Sequence, residues 1–206
     1  MSKFGYMTNV EQSFRNNKGI FSLDEILELD QENKWTNFGQ LELIETQNAS
    51  SVSSLDFNNL GNFNVHLITL NNIKSSVDNG RPILRYYENG VLETGSVYDF
   101  ANFQIDATGG NSGSVSTTST SALLTINNGN ATNESSSGYT YIYNALDSTK
   151  YTFSTVHTSG IIGDGHLKMW FGSSTMHQAS YVDKFNISVS SGTFSGNLSL
   201  YGIRFS

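Results

Sequence analysis

The stretch Ile83–Thr94 constrains this 206-residue chain most, because two short apolar runs there flank Asn89-Gly90. Asn and Gly tolerate the positive φ that both central positions of a two-residue type I′ turn require. The spacing therefore predicts a hairpin of Ile83–Tyr87 with Val91–Thr94. Pro82 stands just before the first of these runs, where a missing N–H does least harm to a sheet. A chain committed to such a hairpin needs further strands to cover it, since an isolated hairpin is marginal in water.

The sequence supplies them. Leu41–Glu45 alternates, and Asn64–Leu70 sets Val65 and Leu67 against His66, Ile68 and Leu70. Further strands are predicted at Val97–Ile105, Ala122–Ile126, Tyr139–Tyr143, Tyr151–Val156, Leu167–Phe171, Val182–Val189 and Asn197–Phe205. Segments 107–121 and 127–138 are rich in Ser, Thr, Gly and Asn and are predicted to be loops. About ten strands with short polar turns describe a mainly β protein, an antiparallel jelly-roll-like β-sandwich. Leu198 and Leu200 lie two apart, the phase shifts after Gly202 to Ile203 and Phe205, and a bulge is expected at that glycine. Phe185–Val189 and this last strand are expected to form a closing hairpin.

The first residues differ. Ser22-Leu-Asp-Glu25 is a capping box, with Phe21 and Ile26 at the positions of a hydrophobic staple. A helix over about 22–30 follows, with Ile26, Leu27 and Leu29 as its apolar face. So short a helix is not stable alone and must lean on something else. The expected organisation is an N-terminal arm over 1–39 and a β-sandwich domain over 40–206.

Composition narrows the function. Net charge is −7, with 11 Lys and Arg against 18 Asp and Glu and no basic cluster, which argues against a nucleic-acid partner. There is no cysteine, hence no disulfide, thiolate metal site or cysteine nucleophile. No apolar run approaches the ~18 residues of a membrane span, and MSKFGYMTNVEQSF lacks the apolar core of a signal peptide. The expectation is a soluble chain made without export. Charged residues are only 14%, yet 13 Phe and 10 Tyr are spread along the chain, which favours a folded protein over a disordered one.

Sites of chemistry are sparse. His66, His157, His166 and His177 show no metal-ligand spacing. The loop Ser159–His166, with Asp164 between two histidines, is a candidate for a cation or sugar, though ordinary turn chemistry explains the same residues. Asp78-Asn79-Gly80 lacks a calcium-loop array, and Gly109–Gly113 lacks the lysine and helix of a phosphate loop. No Gly-x-Ser-x-Gly elbow is present, so no enzyme, cofactor or metal is expected. Among the aromatics, Tyr86, Tyr139, Tyr141 and Trp170 are candidates for a surface that contacts a sugar or a protein. Alternating tyrosines also suit a half-exposed sandwich face or a seam between subunits.

Three segments resemble a known class. Ser190–Ser206, with its Ser-Gly turns and Leu-Tyr-Gly-Ile strand, is similar to the ending of small β-domains in virion proteins of tailed phages, marine phages especially. Tyr141–Phe153 (YIYNALDSTKYTF) resembles the Ile-Tyr-Asn-Pro…Tyr-Thr pattern of those domains, with Ala145 where proline is common. Asn17–Glu25 (NKGIFSLDE), followed by Trp35, resembles segments of phage tail and fibre proteins. The resemblance implies a virion structural protein assembled in host cytoplasm, a tail fibre or appendage subunit. Its arm (Phe4, Tyr6, Phe14, Phe21, Ile26, Leu29 and Trp35) would dock onto other virion proteins. It also implies a homo-oligomer, a trimer foremost, with a host surface glycan as a further partner. A capsid decoration or head-fibre protein and a carbohydrate-binding module are the alternatives.

Overall fold

The computed structural model describes residues 41–203 except 126 and 162, together with Asp24, Leu27, Glu28 and Gln31. Those four are helical and exposed. The expected arm residues Phe4, Tyr6, Phe14, Phe21, Ile26, Leu29 and Trp35 lie outside the described residues. By its contacts the chain divides into Met1–Gln40 with Ser206, and Leu41–Phe205.

The second unit holds thirteen strands: β1 (Leu41–Val52), β2 (Ser54–Phe57), β3 (Val65–Ser75), β4 (Pro82–Glu88), β5 (Val91–Leu92), β6 (Tyr98–Asp106), β7 (Asn111–Ser119), β8 (Ala122–Leu123), β9 (Ser136–Tyr143), β10 (Tyr151–Ile161), β11 (Leu167–Ala179), β12 (Val182–Val189) and β13 (Phe194–Ile203). They form an eight-stranded sheet in the order β1-β13-β3-β9-β10-β11-β6-β7 and a smaller one in the order β2-β12-β4-β5, with β8 also on β4. Every pairing is antiparallel. Consecutive strands stay in one sheet only at β4–β5, β6–β7, β9–β10 and β10–β11; elsewhere the chain crosses between sheets, as in a jelly roll.

The core lies between the sheets. Ile68 and Leu70 of β3, Ile142 of β9, and Leu198 and Leu200 of β13 pack with Leu84 and Tyr86 of β4 and Phe185 and Ile187 of β12. Burial of apolar area of this kind is the main stabilising term. The Asn89-Gly90 turn joins β4 to β5 with φ of 49° and 84°, as its type requires.

Three expectations are corrected. Phe185–Val189 and the C-terminal strand form no hairpin: β12 pairs with β2 and β4, and β13 with β1 and β3. Their apolar residues face each other across the core, so the chain must arch from one sheet to the other. The arch is tied down by Ser190 N–H to the Arg81 carbonyl at 2.9 Å and Thr193 N–H to Ser76 Oγ at 2.9 Å. β13 is thus an interior strand of its sheet. Gly202 makes no bulge, since its register with β3 is unbroken; the Phe63 ring occupies the space a Cβ there would need. Against β3 the irregularity falls instead between Ser195 and Asn197, at Gly196, opposite Asn72 with φ 58°, and against β1 the register shifts between Leu43 and Glu45 and between Ala49 and Val52. Finally, segment 107–121 contains β7, which lies along β6. An edge strand needs only backbone bonds on one side, so Ser, Thr and Gly form it without any apolar period.

Candidate functional site

Strand alternation decides where each aromatic ring points. On β4 it sends Tyr86 inward, where it is 0% exposed, stacked on Tyr98 at 5.9 Å and edge-on to Phe185. The Tyr98 hydroxyl accepts the Tyr86 backbone N–H at 3.1 Å and donates to the Glu93 carbonyl at 3.2 Å. Burial pushes both phenols above their ordinary pKa. Trp170 is 2% exposed and packs with Ile83, Leu123 and Val156. Neither residue is the surface aromatic expected from the sequence.

The inward position of Trp170 is shared by its neighbour two residues back, Lys168. A lysine ordinarily marks a solvent face. Here Lys168 Nζ is neutralised by Asp106 at 2.7 Å and Asp164 at 2.9 Å. The same ammonium, with the Thr108 N–H, holds the Asp106 carboxyl down at about 2. Trp170 goes in beside it, and Phe171 comes out.

The outward positions form one broad face on the eight-stranded sheet. Ten of the thirteen exposed large hydrophobic side chains among the described residues belong to that sheet. Tyr139, His157, Phe171 and Phe103 stand directly opposite one another across β9, β10, β11 and β6. Tyr139, Phe153 and Phe171 are 40%, 44% and 39% exposed. Leu43, Tyr201, Leu67 and Tyr141 make a parallel row across β1, β13, β3 and β9.

None of the outward residues of β9, β10 and β11 is Asp, Glu, Lys or Arg. Tyr139 is edge-on to both Tyr141 and His157, at 76° and 82°, and its hydroxyl lies 3.4 Å from His157 Nδ1. Tyr141 and Tyr143 are near-parallel at 26°, and Phe103 is tilted 56° to Phe171. The rings stand off the sheet at several angles instead of lying in one plane. Such a face offers apolar contact and ring-edge packing to another protein surface more readily than a flat bed for a sugar ring. Phe171, the sequence neighbour of Trp170, is the outward aromatic of that pair, and strict alternation along β6 and β10 is the signal that marks Phe103 and Phe153 beside it.

The remaining candidates are occupied by local structure. Asp164 accepts the His166 N–H at 3.1 Å besides its bond to Lys168, and Asp78 accepts the Asn79 N–H at 3.2 Å. Glu88 and Glu93 both accept from Gln178 Nε2 at 2.8 Å, so an amide sits between these two carboxylates. His66 is fully buried, its Nε2 bonded to the Leu60 carbonyl at 2.8 Å, and burial lowers its pKa. Among the described residues no group of three or more His, Cys, Asp or Glu is arranged to hold a metal ion. No helix among them is long and apolar enough to cross a membrane. Comparison with protein-family models, with curated proteins and with solved structures gives no match to this chain.

Proposed function

We propose that this chain is a structural subunit of a tailed-phage particle, of tail-fibre or appendage type, which self-associates through the outer face of its eight-stranded sheet. The observation that carries the self-association is the uncharged aromatic surface of β9–β11 in a chain of net charge −7. Two like-charged copies repel wherever their acidic surfaces meet, and this face is where they approach without that penalty. Exposed apolar patches of this kind mark interaction sites. The virion setting rests on the segments Asn17–Glu25, Tyr141–Phe153 and Ser190–Ser206, which resemble phage virion proteins. In this reading the N-terminal arm docks onto the particle, the assembly is a homo-trimer, and the protein is not an enzyme.

The test is position and copy number in a reconstruction of a particle that carries the protein. A few copies at the tail, with the large sheets in mutual contact, are the expected result. Hundreds of copies over the head would transfer the chain to the capsid-decoration class. Deleting residues 1–35 should abolish incorporation while leaving a folded β-domain; an arm-less protein still found on particles would overturn the docking role.

A further inference from the structure

A second surface lies away from the large sheet's outer face. Beside β4 runs a groove of about 410 Å³ whose lining includes Arg81, Arg85, Thr120, Ser121, Asn127 and Ser190. Two of the chain's few cations thus converge on one depression of an acidic molecule. Among the described residues neither guanidinium pairs with a carboxylate. Arg81 donates from Nε to the Asn127 amide oxygen at 2.9 Å, and its guanidinium carbon lies 5.7 Å from the centre of the Trp170 ring. Arg85 donates from Nε to the Thr120 carbonyl at 2.9 Å, with Nη1 at 3.5 Å from Ser188 Oγ.

These contacts fix both side chains through neutral acceptors, with the Trp170 ring buried in the core. Arg81 is partly withdrawn from water, which disfavours its charge. A partly buried guanidinium with only neutral partners is a site prepared for an anion, because its planar fork matches a carboxylate or sulfate.

From this geometry we infer that the groove binds an acidic saccharide, its carboxylate or sulfate held by Arg81 and Arg85 and its hydroxyls by Thr120, Ser121, Asn127 and Ser190. The net charge of −7 disfavours a densely anionic ligand. A dense polyanion such as nucleic acid is repelled strongly by the rest of the surface, whereas a single anionic group on a neutral, hydroxyl-rich ring meets only a small fraction of that repulsion. The hydroxyls and the amide on the groove wall suit such a ring. This inference stands whether or not the large sheet is the assembly face.

The test is a ¹H–¹⁵N titration of the full chain with sodium D-glucuronate, with D-glucose, sodium acetate and sodium sulfate as separate arms. Glucuronate is expected to shift the Arg81 and Arg85 Nε–H signals saturably and more tightly than acetate or sulfate, and glucose to leave them unmoved. Arg85→Gln should weaken glucuronate binding about tenfold or more, the loss that goes with one charge-assisted hydrogen bond. Arg85 is half-exposed, so that variant folds even if Arg81→Gln does not. Equal response to glucose and glucuronate, acetate or sulfate binding as well as glucuronate, or an unchanged affinity in Arg85→Gln would each overturn the assignment.

Discussion

Tyr139, His157, Phe171 and Phe103 stand in a row on a broad sheet with no Asp, Glu, Lys or Arg on the outward side of its three middle strands, whereas the groove beside β4 gathers two arginines among hydroxyls and an amide. Both surfaces are mounted on one core, yet they suit different partners. The sheet face offers area and rings at varied angles, as packing against a protein requires. The groove offers two directional charges and neutral hydrogen-bonding groups, as a small polar ligand requires. The difference teaches that in a chain with only 14% charged residues, placement of charge separates one surface from another more sharply than hydrophobicity does.

Substitutions can break that comparison, beginning with the residue beneath both surfaces. Trp170 packs in the core and underlies Arg81, while its neighbour Phe171 belongs to the sheet face. Trp170→Ala should cost about 3–5 kcal/mol in denaturant unfolding and weaken both surfaces together. A small loss there would mean that Trp170 is not the shared support.

Acid should act next, through groups that serve neither surface directly. His66 stays neutral in the fold because burial lowers its pKa, while the unfolded chain takes up a proton near its ordinary value of about 6.5. The unfolded state therefore binds more protons as pH falls through that value, and stability declines below it. His66→Leu should flatten this slope in thermal melts between pH 7.5 and 5; an unchanged slope would contradict it. Asp106 acts lower still. Its carboxyl, held at about 2 by Lys168 and Thr108, contributes stability that is present above the unfolded carboxylate value and lost as pH falls towards 2. Lys168→Met should reduce that acid-limb loss, leaving the part held by Thr108.

At the surfaces themselves the stability effects shrink. Phe171→Ala should change monomer stability by less than about 1 kcal/mol, since the ring is half-exposed, and Arg85→Gln by no more than about 0.5 kcal/mol. Larger losses in either would show that the residue is structural and would erase the contrast with Trp170.

Much of the fold could be read before the structure. Asn89-Gly90 marked a real hairpin, and the alternating runs found most strands, because both signals are local. What escaped was non-local. Sheet membership of β12 and β13 depends on which apolar faces meet across the core, and β7 has no apolar period at all. On the same inward side of β11, Trp170 packs on Ile83 and Leu123 from distant segments, and Lys168 pairs with Asp106, sixty-two positions earlier in the chain. The sequence marked Tyr139 and Tyr141 on the sheet face, but adjacent Tyr86 and Tyr87 carry no local sign of which one is buried. Arg81 and Arg85 join Asn127 and Ser190 only through the topology, so no spacing in the chain announces the groove.

The central claim is that the outer face of the large sheet joins copies of this chain. Sedimentation equilibrium of the wild-type chain and of the double variant Phe153→Asp, Phe171→Asp tests it directly. A wild-type trimer and a variant that sediments as a monomer with an unchanged β circular-dichroism spectrum are the predicted results. A wild-type monomer, or a double variant that assembles as well as the wild type, would contradict it.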